Sequence, residues 1–178
     1  MQLNDSFKNK LEVGQRIEKG VRIGLTRLLP DGYTAKVTDQ DPDSPEREEY
    51  HLIDVVILQY GLPVLGIECK CTLTKLEHCW SICGWDPIYN TPLNDSSLRK
   101  YKESPFPYYL MNVQVWARRV YVCDQKTLFE SRFDLGKKKK GSDVKLYNVC
   151  AEKWMTYEGD DVRLLRILTD ILKREGIC

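Results

Sequence analysis

The chain contains no run of about eighteen apolar residues, so no membrane-spanning helix is expected. Its N-terminus is polar and lacks the apolar stretch of a secretory signal, which predicts an intracellular, cytoplasmic protein, or one in the host cytoplasm or nucleus if the source is viral. Net charge is also missing: 27 Lys and Arg stand against 26 Asp and Glu. A strongly basic total would have advertised nucleic-acid binding, so any such contact must come from local clusters. The seven cysteines form no paired C-x-x-C knuckle, and their odd number favours reduced thiols over a disulfide framework. Cys69, Cys71, Cys79 and Cys83, with His78, do fall within fifteen residues. A zinc-stabilised interaction module is therefore one alternative, although the spacings are irregular for a metal knuckle.

What is present is a pair of hydrophobic segments that carry charge. Ile53-Asp54-Val55-Val56-Ile57-Leu58 is followed by a short break at Gln59-Tyr60-Gly61-Leu62-Pro63, then by Val64-Leu65-Gly66-Ile67-Glu68-Cys69-Lys70. Gly61 and Pro63 are turn residues, so the two segments read as a β-hairpin. Both are apolar on both faces, as central strands are. Charged residues are rarely buried unless they are paired or bind a metal, so Asp54, Glu68 and Lys70 need an explanation. Glu68 and Lys70 share a face because side chains alternate along a strand. A three-residue loop of Tyr60, Gly61 and Leu62 pairs Gln59 with Pro63 and sets Asp54 opposite Glu68. A two-residue loop shifts the register and sends the Asp to the other face. Cross-strand Cβ atoms lie roughly 4.5–5.5 Å apart, close enough for two carboxylates to share a divalent cation. Magnesium is suited by one or two carboxylates completed by water and substrate phosphate.

Asp54, thirteen intervening residues and Glu68-Cys69-Lys70 resemble the signature of the PD-(D/E)XK nuclease superfamily, with Ile53 replacing the usual Pro before the Asp. The resemblance implies a restriction-endonuclease-like α/β core, a central mixed β-sheet flanked by helices. It implies a Mg²⁺- or Mn²⁺-dependent nuclease acting on DNA, with RNA as an alternative. Asp54, Glu68 and the backbone carbonyl of Cys69 would bind the metal, and Lys70 would position the attacking water. The superfamily has a helix before its first core strand, often with a Glu facing the metal. Here a helix is expected from Asp5 to Leu29, with Val13, Ile17, Val21, Leu25 and Leu28 on one side. Glu18 is the candidate on it and Glu12 the runner-up.

The remaining elements follow from periodicity and breakers. Tyr33–Val37 reads as an edge strand and 39–49 as an exposed acidic loop. Pro107 to Arg119 reads as a helix, followed by strands at 120–123, 127–133 and 144–149 and a helix from about 160 to 173. This order resembles the lambda-exonuclease-like (YqaJ-type) branch, whose helix after the Glu-x-Lys strand carries a Tyr-x-x-Gln motif. Tyr109 would supply the Tyr, and Gln114, ahead of Asn112, the amide that holds water or phosphate. Lys137, Lys138, Lys139 and Lys140, expected at a hairpin tip, and Arg118 and Arg119 are candidate nucleic-acid contacts. Length fits one domain spanning 1–178 with an insertion at about 76–107. Aromatics in that insertion would either stack on bases or pack a small lid. Ring-shaped and dimeric relatives make a homo-oligomer plausible. A nucleic-acid-binding relative with weak catalysis is the other alternative.

Overall fold

The computed structural model describes residues 5–38, 53–73, 84–135, 145–159 and 163–178. Helix α1 (Asp5–Leu28) leads through the turn at Asp31-Gly32 into strand β1 (Tyr33–Val37). Strands β2 (Val55–Gln59) and β3 (Leu62–Thr72) form the expected hairpin. Next come β4 (Asn90–Asn94), α2 (Asp95–Glu103), β5 (Tyr108–Gln114) and β6 (Arg119–Asp124). The chain ends with α3 (Gln125–Glu130), β7 (Phe133–Leu135), β8 (Leu146–Cys150), β9 (Met155–Glu158) and α4 (Leu164–Arg174).

Six strands form the central sheet in the order β1-β2-β3-β5-β6-β9. Only the β3–β5 pair is parallel; its neighbours run antiparallel, so the sheet is mixed. One face packs on α1 and α4 through Val21, Leu25, Ile167, Leu168, Ile171 and Leu172. The other packs on α2, α3 and a small sheet, β4-β8-β7, through Tyr101, Leu128, Leu93 and Val149. Both faces are covered, which is why β2 and β3 are apolar throughout. No helix among the described residues is long and apolar enough to cross a membrane.

The hairpin reaches the expected register by an unexpected route. Its loop has two residues, with Gln59 opposite Leu62, and both Tyr60 (φ 49°) and Gly61 (φ 86°) adopt the positive φ of a type I′ turn. Such a loop alone would put Asp54 and Glu68 on opposite faces. A β-bulge corrects this: Leu58 pairs with Pro63 but Ile57 pairs with Leu65, leaving Val64 as the extra residue. Val55 then faces Ile67, and Asp54 falls beside Glu68.

Two expected elements are corrected. Residues 107–119 form no α-helix: Tyr108–Gln114 is the strand parallel to β3, ended by a single 3₁₀ turn at Val115–Ala117 and by Arg118 in the left-handed region (φ 48°). Every residue from Tyr108 to Met111 is buried, and a continuous apolar run has no period to separate a strand from a helix. Residues 127–133 are mostly the short helix α3, started by Asp124, whose side chain accepts the Thr127 N–H. The helix between strands lies instead within the insertion, at α2, capped by Asn94 accepting the Ser97 N–H. Strand β1 sits at the sheet edge as expected. The acidic segment 39–49 lies outside the described residues.

Gly66 makes the close approach between β3, β5 and the second layer possible. A Cβ there would meet Ile53 Cγ2 at 2.7 Å, Phe106 Cε2 at 3.0 Å and Tyr108 Cβ at 3.2 Å. Gly66→Ala is expected to lower stability by about 1–3 kcal/mol, as overpacked core sites do. Urea unfolding with an unchanged m-value checks this, and wild-type stability would contradict the packing described.

Candidate active site

Asp54 lies just before β2, and Glu68 and Lys70 point from β3 toward the α2 face of the sheet. The backbone of Asp54 is pinned at the end of β1, where the Thr38 N–H donates to its carbonyl at 3.0 Å. Asp54 and β3 then clasp each other. The Cys69 N–H donates to Asp54 Oδ2 at 2.7 Å, and the Asp54 N–H donates to Glu68 Oε2 at 3.3 Å. N–H groups of alternate strand residues point to opposite neighbours: Gly66 donates toward β5, to Pro107 O, whereas Cys69 donates toward Asp54. The Cys69 carbonyl shares that Asp54-facing edge, because N–H and C=O of one strand residue point the same way.

Glu68 is buried and is bonded through Oε1 to two donors, the Lys70 ammonium and the Tyr101 hydroxyl, the latter at 2.7 Å. The Lys70 side chain keeps 31 % of its surface exposed against 6 % for Glu68. Lys70 is therefore the group a ligand meets first. Burial, then the charge of Glu68, pushes the Asp54 carboxyl up to about 8, with Glu18 adding to the push and Lys70 and the Cys69 N–H opposing it. Burial pulls the Lys70 ammonium down, but Glu68 and Asp54 outweigh it and hold its pKa above the ordinary value. Burial and the field of Asp54 push the Cys69 thiol up, so it is a core group rather than a nucleophile.

The structure thus brings Asp54, Glu68, Lys70 and the Cys69 backbone together. Glu18 is half-buried on α1, and its charge reaches both Asp54 and Cys69. Glu12 is exposed. Gln114 is fully buried; its Nε2 donates to Asn90 O at 3.2 Å, which ties β5 to β4. Asn112, beside Lys70 in register, accepts from Thr72 Oγ1 and donates to Thr91 Oγ1. Neither amide faces solvent, so their visible work is to hold β4 onto the sheet. Tyr109 points to the opposite face, where its hydroxyl donates to Glu175 Oε1 at 2.6 Å.

Arg119 is engaged internally, with Glu158 Oε1 at 2.7 Å and the Tyr121 hydroxyl at 3.0 Å, whereas Arg118 is exposed. Lys137, Lys138, Lys139 and Lys140 fall between the paired strands β7 and β8, outside the described residues. Cys79, Cys83 and His78 lie outside them too, and the described cysteines carry free thiols. Described aromatics of the insertion pack rather than project. Trp85 is buried with the Arg132 guanidinium over its ring, Tyr89 meets Tyr121 edge-on, and Tyr101 is fully buried.

Tyr101 is the contact that sequence reasoning missed. The available signal was Asn94-Asp95-Ser96-Ser97, a helix-start pattern seven residues before it.

The donor set fits a divalent cation. Two carboxylates are adjacent, one is pushed toward protonation by burial and then by the other, and each keeps an oxygen away from its strongest donor. Among the described residues no three His, Cys, Asp or Glu side chains converge on one point. Water and phosphate would complete the coordination, as magnesium sites commonly require.

No protein-family model and no curated protein matches the sequence. Among solved structures the chain is similar to D212, a nuclease from a fusselovirus, with a TM-score of 0.52 and 9 % identity, over 99 % of this chain and 98 % of that one. At that identity the likeness is one of fold.

The raised carboxyl of Asp54 sets a pH dependence. Without divalent metal the folded state holds a proton on Asp54 that the unfolded chain loses near 3.8, so stability falls as pH rises from there to about 8. Asp54→Asn is expected to flatten that part of the thermal-midpoint profile. The reading is wrong if the two proteins, measured in EDTA, show parallel profiles across this window.

Proposed function

We propose that this chain is a nuclease, and more narrowly a Mg²⁺- or Mn²⁺-dependent deoxyribonuclease of the PD-(D/E)XK type. The observation that carries the reading is the Asp54–Glu68–Lys70 constellation. Two carboxylates from adjacent strands and a part-exposed lysine meet at one site on a mixed sheet. The likeness of fold to a viral nuclease supports it independently.

A divalent cation at this site supplies an activated water at neutral pH and offsets charge on the scissile phosphate. Asp54 and Glu68 would hold it, with the Cys69 carbonyl on the same edge. Glu18 stands behind Asp54 and adds negative potential. Lys70 presents its ammonium toward incoming phosphate, where it can orient the attacking water and stabilise charge that grows in the transition state. Burial of Glu68 keeps bulk water from screening these charges. Arg118 and the Lys137–Lys140 run are the basic groups proposed to contact the DNA backbone, through counterion release. Exonucleolytic action in recombination or repair is the narrowest form of the proposal.

Cleavage of linear, circular and single-stranded DNA with Mg²⁺ or Mn²⁺ tests it. Lys70→Ala is expected to lower the rate on the order of 10²–10³-fold, the range for losing a transition-state donor. Asp54→Ala and EDTA should abolish cleavage. Cutting of linear DNA alone supports an exonuclease. A folded protein that cuts none of the substrates with either metal favours a binding role instead.

A further inference from the structure

We propose that Tyr101 sets the metal preference of the carboxylate pair: by occupying Oε1 of Glu68 it leaves that residue a single oxygen to offer a cation. The inference deepens the nuclease reading and rests on its metal site. Glu68 Oε1 accepts from Tyr101 and from Lys70, whereas among the described residues Oε2 carries only the 3.3 Å bond from the Asp54 N–H. Asp54 Oδ2 is likewise taken, by the Cys69 N–H at 2.7 Å. Each carboxylate is thereby a one-oxygen ligand. Mg²⁺ and Mn²⁺ are suited by single oxygens in a six-coordinate shell completed by water. Ca²⁺ takes six to eight oxygens at longer distance and gains from carboxylates that bind through both.

Tyr101 is built for this task rather than placed there by packing alone. It is fully buried, so it meets no substrate and acts only through Glu68 as a positioning residue. Gln125 Nε2 donates to the Tyr101 carbonyl at 3.0 Å, and the ring rests against Tyr108 with centroids 5.5 Å apart. Lys70, the other donor to Oε1, has a long, part-exposed side chain that can swing to a ligand. Tyr101 cannot, so it is the constant member of the clamp.

Calorimetric titration of the full chain with MgCl₂, MnCl₂ and CaCl₂ tests this, comparing wild type and Tyr101→Phe. Tyr101→Phe keeps the ring and removes the donor. It is expected to raise Ca²⁺ affinity relative to Mg²⁺ about tenfold, the size of one hydrogen bond to a charged group. If wild type binds none of the three ions, the metal site itself fails and the inference falls with it. If wild type binds Mg²⁺ or Mn²⁺ but folded Tyr101→Phe keeps the wild-type ratio, Tyr101 is a packing residue and only this inference is lost. Should Tyr101→Phe not fold, wild type that binds Ca²⁺ as tightly as Mg²⁺ or Mn²⁺ overturns it equally.

Discussion

Two carboxylates set side by side in the wall of a packed sheet repel each other and lose their hydration, and much of the architecture around Asp54 and Glu68 answers that penalty. Backbone N–H groups of Cys69 and Asp54 each donate to the carboxylate across the hairpin. Lys70 and Tyr101 converge on Glu68 from above. Even so, the Asp54 carboxyl stays far above its ordinary range, because burial and the Glu68 charge exceed what those donors return. A site left in that condition is receptive to positive charge. The same burial and repulsion hold the Asp54 carboxyl toward its protonated form when the site is bare.

The second layer over the sheet exists to support this arrangement. Strand β4 is fastened to β3 and β5 through Thr91, Asn112, Thr72 and the Gln114–Asn90 contact. Helix α2 leaves β4 at the Asn94 cap and carries Tyr101 down to Glu68. A segment with little recognisable pattern thus delivers the most deeply buried partner of the site. The Asn112 amide in this network has both its oxygen and its nitrogen bonded, whereas among the described residues Gln114 Oε1 and both side-chain polar atoms of Asn90 are buried with no partner.

How much of this was legible in the sequence depended on whether a residue reports its own environment. Asp54, Glu68 and Lys70 were readable because charge inside apolar strands is rare, and α1 because its stripe recurs at helical spacing. Tyr108 to Gln114 was misread as a helix: a strand buried on both faces has no alternation to display. The amides Asn112 and Gln114 were noticed, but assigned to water or phosphate, since a sequence does not show that β4 would fold over them. Asn94 and Asp124 each start a helix by accepting an N–H three residues on, a local pattern that the apolar periodicity does not display. Tyr101 was read only as one of the insertion's aromatics, for stacking or for packing a lid, because its bond to Glu68 depends on a partner 33 positions away.

The bulge at Val64 has a consequence for how such sites persist. Thirteen residues separate Asp54 from Glu68, and an odd number is what keeps them on one side. Here the odd residue resides in the strand, not in the turn. Parity rather than loop length is the quantity under constraint, so the tip of the hairpin is free to exchange one compact turn for another if a bulge appears or vanishes in step. A search template with a fixed turn would miss such chains, whereas one that counts the interval modulo two would find them.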